Sequence, residues 1–399
     1  MRDALMRCED PQLAATVALS LIQRMCTGSD AHFAVSLAIM VIARLLPEDR
    51  DLVWNLVCTT YLLSANRDAQ IANCAGKYFE DLVGEVPQDP DLRRARSALL
   101  AVGNARGGDS STEAVGHALE ALEGGWVDVF GEPCLFTFLV PVLGDDPEHI
   151  AKLWLTHSTA PVSNDPHLRR GMLSTIARGC AFHNGGDLAR AYTFLTPPVS
   201  TGNLDCPAVL LASAKLAEVC VEMGQFDEAA PLVTADGELL QHINVLYARG
   251  RLKLASCHAE GALEDLLEAG RRLAAREMPN PALMAWRHHA VRAHLMVGNR
   301  DDAARLAHEE LDLAKRWGSP RVVGTALMSV GISTDDADVL AEAEQVLAGT
   351  PHRLLHAQSL YWLGTTCAAR AAPTPRPAPA PCVRPGPPAQ RAPAGQARG

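Results

Sequence analysis

A short pattern recurs through the C-terminal half of this chain. A glycine, or a residue standing in for one, precedes a few polar residues and then a small residue that opens an apolar stripe. The copies are GGDLARA with Gly186 and Ala191, GQFDEA with Gly224 and Ala229, CHAEGA with Cys257 and Ala262, and GNRDDA with Gly298 and Ala303. A degenerate copy, GISTDDADVL, starts at Gly331. The steps of 38, 33, 41 and 33 residues are the length of a helix-turn-helix unit stacked into a solenoid. One hairpin cannot bury its own apolar stripe, so its neighbours supply the missing surface at roughly 25 cal/mol per Å² of apolar area removed from water. The small residue lets the second helix approach the first closely, as ridges-into-grooves packing requires.

The stretch from 298 to 320 illustrates the unit. Ala303, Ala307, Leu311 and Ala314 form one stripe, while Arg305, Asp312 and Arg316 take the wet side. Gly298 closes the preceding helix, Asp301 or Asp302 is placed to cap the new one, and Gly318 ends it before Pro320. Capping residues followed by proline mark seven helix starts: Asp10-Pro11, Asp89-Pro90, Asp146-Pro147, Asp165-Pro166, Asn280-Pro281, Ser319-Pro320 and Thr350-Pro351. Ala and Leu outnumber Val, Ile, Thr and Tyr, and only 5% of residues are aromatic, a helical balance that predicts almost no strand. The units YARGRLKLASCHAEGALEDLLEAGRRL and WRHHAVRAHLMVGNRDDAARLAHEEL resemble degenerate tetratricopeptide repeats. The expected fold is an all-α, tetratricopeptide-like α-solenoid of stacked helical hairpins.

Residues 1–125 read as a helical region that begins the solenoid, with helices over 14–25, 33–46, 52–64 and 69–83; residues 126–370 read as the repeats. From 371 to 399 the chain is a Pro/Ala/Arg tail without an acidic residue, expected to be disordered. The segment SLYWLGTTCAARAA before it reads as the first helix of a hairpin whose second helix never comes, and no polar capping element follows. This favours a truncation or a changed reading frame near Arg370 over a natural tail.

A formal charge of -10 argues against general nucleic-acid binding, which needs concentrated Lys and Arg. The eleven cysteines are an odd number, without a CxxC pair, and Cys26, Cys58, Cys134 and Cys180 read as reduced core residues. The N-terminus lacks a signal-peptide layout, and the apolar run Phe33 to Leu46 is fourteen residues long and contains Arg44, a buried helix rather than a membrane span. The expected location is the cytoplasm.

Chemical equipment is sparse. A phosphate-binding loop needs Gly, Lys and Ser/Thr in order, whereas Gly76-Lys77 is followed by Tyr78 and Phe79, and GNARGGDSS lacks Lys. His352 and His356 stand four apart on one face of an expected helix, but HRLLH has no metalloprotease glutamate and no third ligand. Adjacent His288 and His289 point about 100° apart on a helix and cannot share one ion. The pairs Asp145-Asp146 and Asp335-Asp336 are explained as helix-capping carboxylates, and no Ser or Cys has a nucleophile elbow. Neither enzyme activity nor a metal is expected. What remains is the groove lined by first helices, with Arg249, Arg251, Arg287 and His288 as candidates for contacting an acidic or planar partner. Trp286 steps with Leu283, Ala290 and Ala293 and reads as core.

The run Gly250 to Gly331, with NPALMAWR and EELDLAKRWGSPR, resembles the helical region of the large LuxR-type transcriptional regulators of actinomycetes. The resemblance extends over about residues 130 to 368. In that family an N-terminal ATPase precedes a repeat-containing sensor arm, and a helix-turn-helix that binds promoter DNA follows it. Neither flanking domain has a counterpart here, so ATP is expected only in a domain outside this chain and no cofactor within it. The resemblance implies a sensor and scaffold that binds a small effector or a protein partner without touching DNA itself. A free-standing tetratricopeptide-like adaptor is the alternative reading, and a helical enzyme a third that lacks a catalytic constellation.

Overall fold

The computed structural model describes residues 86–123, 128–145 and 166–371 apart from short gaps, together with pieces within 8–18, 37–42 and 53–57. The helices are α1 (Pro90–Gly107), α2 (Ser111–Leu122), α3 (Leu135–Leu143), α4 (Pro166–Asn184), α5 (Leu188–Val199), α6 (Pro207–Glu222) and α7 (Phe226–Ala229), the last continued by a 3₁₀ turn over Ala230–Val233. There follow α8 (Leu240–Ala255), α9 (Ala259–Ala274), α10 (Trp286–Met296), α11 (Arg300–Trp317), α12 (Pro320–Thr334), α13 (Ala337–Leu347) and α14 (Arg353–Ala371). Strand among the described residues is one antiparallel pairing of Asp128–Val129 with Glu132–Pro133. The protein is all-α, and each helix packs on the next, α7 by way of the 3₁₀ turn that continues it, as a stack of hairpins requires. Most of the expected N-terminal helices and the tail beyond Ala371 lie outside the described residues.

Left-handed residues place the hairpin turns. Gly108, Asp145, Gly186, Gly224, Cys257, Gly298 and Asp335 all have φ between 57° and 77°, or 86° at Gly298. The same turn therefore recurs from residue 108 onward, upstream of the repeats legible in the sequence. In the last copy the turn residue is Asp335 rather than Gly331, which lies inside α12.

Proline and capping residues start several helices as expected. Asp89 accepts from the N–H groups of Asp91 and Leu92 ahead of α1, Asp10 does the same for Gln12 and Leu13, and Asp336 caps α13. Pro166 opens α4 and Pro320 opens α12. Two expected starts are turns instead. Asn280 accepts from Ala282 N–H and α10 begins only at Trp286; the Thr350-Pro351 bend precedes α14, which begins at Arg353. The N-cap of α11 is Asn299, without a side-chain cap bond, and Asp301 and Asp302 lie in the first turn, where their charge meets the positive end of the helix dipole.

Close approach within each hairpin follows one rule of size. Four residues past the N-cap of the second helix stand Ala191, Ala229, Ala262 and Ala303, all with no exposed surface. Further along the same helices, Leu195 and Leu266 insert against Gly179 and Gly250, where an added Cβ would lie 2.5 and 2.8 Å from the leucine Cγ. Val291 and Ala307 reverse the sizes in the α10–α11 hairpin. In the α12–α13 hairpin Leu340 replaces the alanine, and Gly331 opposite leaves the room, its missing Cβ only 2.5 Å from Leu340 Cγ. Large residues meet small ones in these hairpins, which lets the paired helices approach closely. Ala303→Leu adds bulk without such a counterpart and is expected to cost about 1–3 kcal/mol. A lowered thermal midpoint checks this; an unchanged one would place Ala303 on an open face.

First helices also pack on one another along the chain, α4 on α6, α6 on α8, α8 on α10, α10 on α12 and α12 on α14, while successive second helices make no comparable contact among the described residues. The first helices therefore line the inside of the curve. The curve closes far enough for turns to meet loops of later hairpins. Asn280 Nδ2 donates to Ala105 O at 2.6 Å and Arg106 Nη2 to Arg276 O at 3.0 Å. One hairpin on, Trp317 Nε1 donates to Leu143 O, and Arg321 pairs with Asp145 at 2.7 Å. One further on, His352 Nδ1 lies 2.8 Å from Asn184 O. These bonds span 168 to 176 residues, a nearly constant offset. Ala101, Ala105 and Val115 join Ala282, Trp317 and Val322 in one apolar cluster behind them. Asn280→Ala removes a buried donor from Ala105 O and is expected to cost about 1–3 kcal/mol, with faster hydrogen exchange over residues 101–108. Unchanged exchange there would mean that Asn280 does not hold the two turns of the superhelix together.

Candidate binding site

Polar side chains gather on the inner layer. Arg251 of α8 donates to Glu218 Oε2 and Glu222 Oε1 of α6, both at 2.6 Å. Glu218 Oε1 in turn meets Lys215 at 2.9 Å, and Glu222 Oε2 meets His183 of α4 at 3.1 Å. Burial alone would raise both glutamate pKa values. The neighbouring groups outweigh it: Lys215 and Arg251 lower that of Glu218, and His183 and Arg251 hold Glu222 at about 2. Burial likewise opposes the Arg251 charge, yet its partners drive that pKa upward.

The four groove candidates are therefore not equivalent. Arg251 is a buried tie between α6 and α8. Arg249 grips Asp265 with two hydrogen bonds of 2.9 and 2.8 Å, closing the α8–α9 hairpin beside Lys253. Arg287 stacks over Trp286, 4.5 Å from the ring centroid, and approaches Glu309 at 3.9 Å, leaving its buried Nε without a hydrogen bond. Trp286 itself is core, seated against Gly270. His288 is buried with its Nδ1 2.8 Å from Ser329 Oγ. None of the four is a freely presented recognition residue, because the packing of hairpins already uses them.

Ser329 links His288 to Glu310. Its hydroxyl lies 2.9 Å from Glu310 Oε2, 3.2 Å from Thr325 O and 2.8 Å from His288 Nδ1, and which of the serine and the imidazole donates depends on the histidine tautomer. Histidine-assisted attack requires the serine proton to go to the imidazole. Ser329 has no exposed surface, so its hydroxyl is closed to a substrate. Burial raises the Glu310 pKa to about 7 against the Ser329 hydrogen bond and the Arg287 charge. Burial, then Arg292 and Arg251, lowers that of His288 to about 3.

Sequence reasoning passed over Tyr247 and Arg292, and took up His289 only beside His288. Tyr247 and His289 bring their ring centroids to 5.6 Å, and Arg251 lies 5.7 Å from the Tyr247 centroid. The available signal was α10 itself, WRHHAVRAHLM, which has two arginines and three histidines but no acid.

The two histidines four residues apart separate. His352 precedes α14 and bonds Asn184 O, while His356 Nε2 pairs with Glu344 at 2.8 Å. Among the described residues no group of three metal-ligating side chains forms. Asp145 ends α3 in the left-handed region, pairs with the Arg321 side chain and accepts the Arg321 backbone N–H in the first turn of α12 at 3.3 Å, so it caps a helix distant in sequence; Asp146 lies outside the described residues. The cysteine reading divides. Cys180 and Cys220 are buried free thiols, but Cys367 is exposed and Cys257 is disulfide-bonded. Cys257 sits at an exposed left-handed turn rather than in the core. Cys26, Cys58 and Cys134, like the look-alike Gly76-Lys77, lie outside the described residues.

Among the described residues no helix is long and apolar enough to cross a membrane. No protein-family model and no curated protein matches the chain.

Proposed function

We propose that this chain is the helical sensor and scaffold portion of a LuxR-type transcriptional regulator, binding a small effector or a protein partner on its inner layer without catalysis. In this reading it works in the cytoplasm and leaves ATP and promoter DNA to domains outside the chain. The observation that carries it is the lining of the inner layer. First helices present Tyr247, His289 and Arg292, polar groups to which the hairpin packing gives no hydrogen-bond partner among the described residues. A curled array of rigid hairpins can pass ligand binding to attached domains by a small change in curvature.

The purified chain is expected to show no magnesium-dependent ATP turnover and no sequence-specific promoter binding. ATP turnover that is lost on mutating a single lysine would overturn the proposal. A stable protein partner held by the chain alone, and released by Arg287→Ala with folding intact, would instead make it a free-standing adaptor.

A further inference from the structure

The structure assigns Arg292, His289 and Tyr247 to one binding site for a small-molecule oxyanion, a carboxylate or a phosphate ester. This inference names the ligand class for the effector-binding reading and rests on it.

The three side chains are hydrogen-bond donors without acceptors. The Tyr247 ring is 4% exposed, and its hydroxyl has no hydrogen-bond partner among the described residues. His289 Nδ1 is buried and equally without a partner. Its ring packs at a tilt against that of Tyr247, centroid to centroid 5.6 Å, which sets the two side chains side by side. Arg292 follows His289 by three residues and shares its helix face. It is half-buried, with no hydrogen bond or ion pair among the described residues. The groups that act on its charge are Arg251, Tyr247 and Tyr361 of α14, and no carboxylate is among them.

Charge balance points the same way. Arg251 and Lys215 are matched by Glu218 and Glu222, so the guanidinium of Arg292 is left over. Burial and the neighbouring Arg251 lower its pKa, and burial with the same cations keeps His289 neutral. An unmatched cation in partly dry surroundings is costly. An oxyanion would accept from the Arg292 fork, the His289 N–H and the Tyr247 O–H at once, and bonds of this charge-assisted type are the strong ones. Tyr361 of α14, 56% exposed, lies near enough to act on the Arg292 charge and offers an aromatic face for the uncharged part of the ligand.

The test is thermal unfolding of the full 399-residue chain at fixed ionic strength, titrated with inorganic phosphate or acetate against chloride. A saturable rise in midpoint with an oxyanion and none with chloride is expected, since a ligand that binds only the folded chain stabilises it. A response to phosphate alone would assign a phosphate ester, and one to acetate alone a carboxylate. Arg292→Gln is expected to weaken the apparent affinity about ten-fold or more while leaving the unliganded midpoint unchanged or higher. Tyr247→Phe removes one donor from an intact ring and is expected to weaken it severalfold without altering the charge. No saturable shift with either oxyanion, or a shift that both variants retain, would overturn the site. An effector or partner bound equally well by Arg292→Gln would overturn it too, yet leave the scaffold reading standing.

Discussion

Arg251→Met is expected to destabilise the protein by about 3–5 kcal/mol, the usual cost of removing one member of a buried ion pair. Glu218 and Glu222 would remain buried, with only Lys215 and His183 to meet two carboxylates. The penalty is chiefly that of the stranded charges, so Met fills the space without relieving it. Arg249→Met is the contrast. Its side chain is 31% exposed, and Lys253 still reaches Asp265, so solvent and the second cation limit the loss to about 1 kcal/mol. Urea unfolding of both variants checks the pair. Equal, small losses would mean that Arg251 is not part of the scaffold and would return it to the ligand-binding surface.

Glu310→Gln is expected to stabilise the protein above neutral pH. A free glutamate loses its proton near pH 4.5, whereas Glu310 in the folded chain holds it to about pH 7. The folded state therefore binds more protons between those values, and stability falls as pH rises through the window. The fall is about 3 kcal/mol at most, from 1.36 kcal/mol per pKa unit. Glutamine keeps the shape and cannot ionise, so its advantage should be largest near pH 8 and vanish below pH 4.5. His288 acts in the opposite sense. It stays neutral to about pH 3 when folded, while an unfolded histidine takes its proton below about 6.5, so its contribution is lost as pH falls from there. Between pH 4.5 and 6.5 the two slopes offset each other, and the variant exposes the histidine slope alone. An advantage of Glu310→Gln that is the same at pH 5 and pH 8 would show that Glu310 is already ionised at pH 5. Arg287 and Ser329 face the same carboxyl and are left unchanged.

Local rules were the legible part of this fold. Gly298, Cys257 and the alanines that follow the turns could be read because a left-handed turn and a close helix contact each demand a particular residue type. Asn280 and Thr350 misled for the same local reason: an Asx or hydroxyl turn before proline has the chemistry of an N-cap, and only the later start of α10 and α14 separates them. Gly331 could not be recognised as space for Leu340 from either position alone, since the reason for each lies in the other. The return of the curve was invisible, because Asn280 and Ala105 are 175 residues apart and no periodic pattern encodes that distance. The binding surface suffered likewise. Arg249 and Arg251 look like groove residues by helix position, but Asp265, Glu218 and Glu222 take them up. The unmatched Arg292 emerges only when every neighbouring charge has been paired.

The central claim is that ligand is received on the first helices of the curled array. The most direct measurement is hydrogen–deuterium exchange of the full chain, helix by helix, with and without a panel of small carboxylates and phosphate esters. The account predicts slower exchange in α8, α10 and α12 with at least one of them, and little change in the outward-facing α9, α11 and α13. Protection confined to the second helices, or none with any member of the panel, would contradict it.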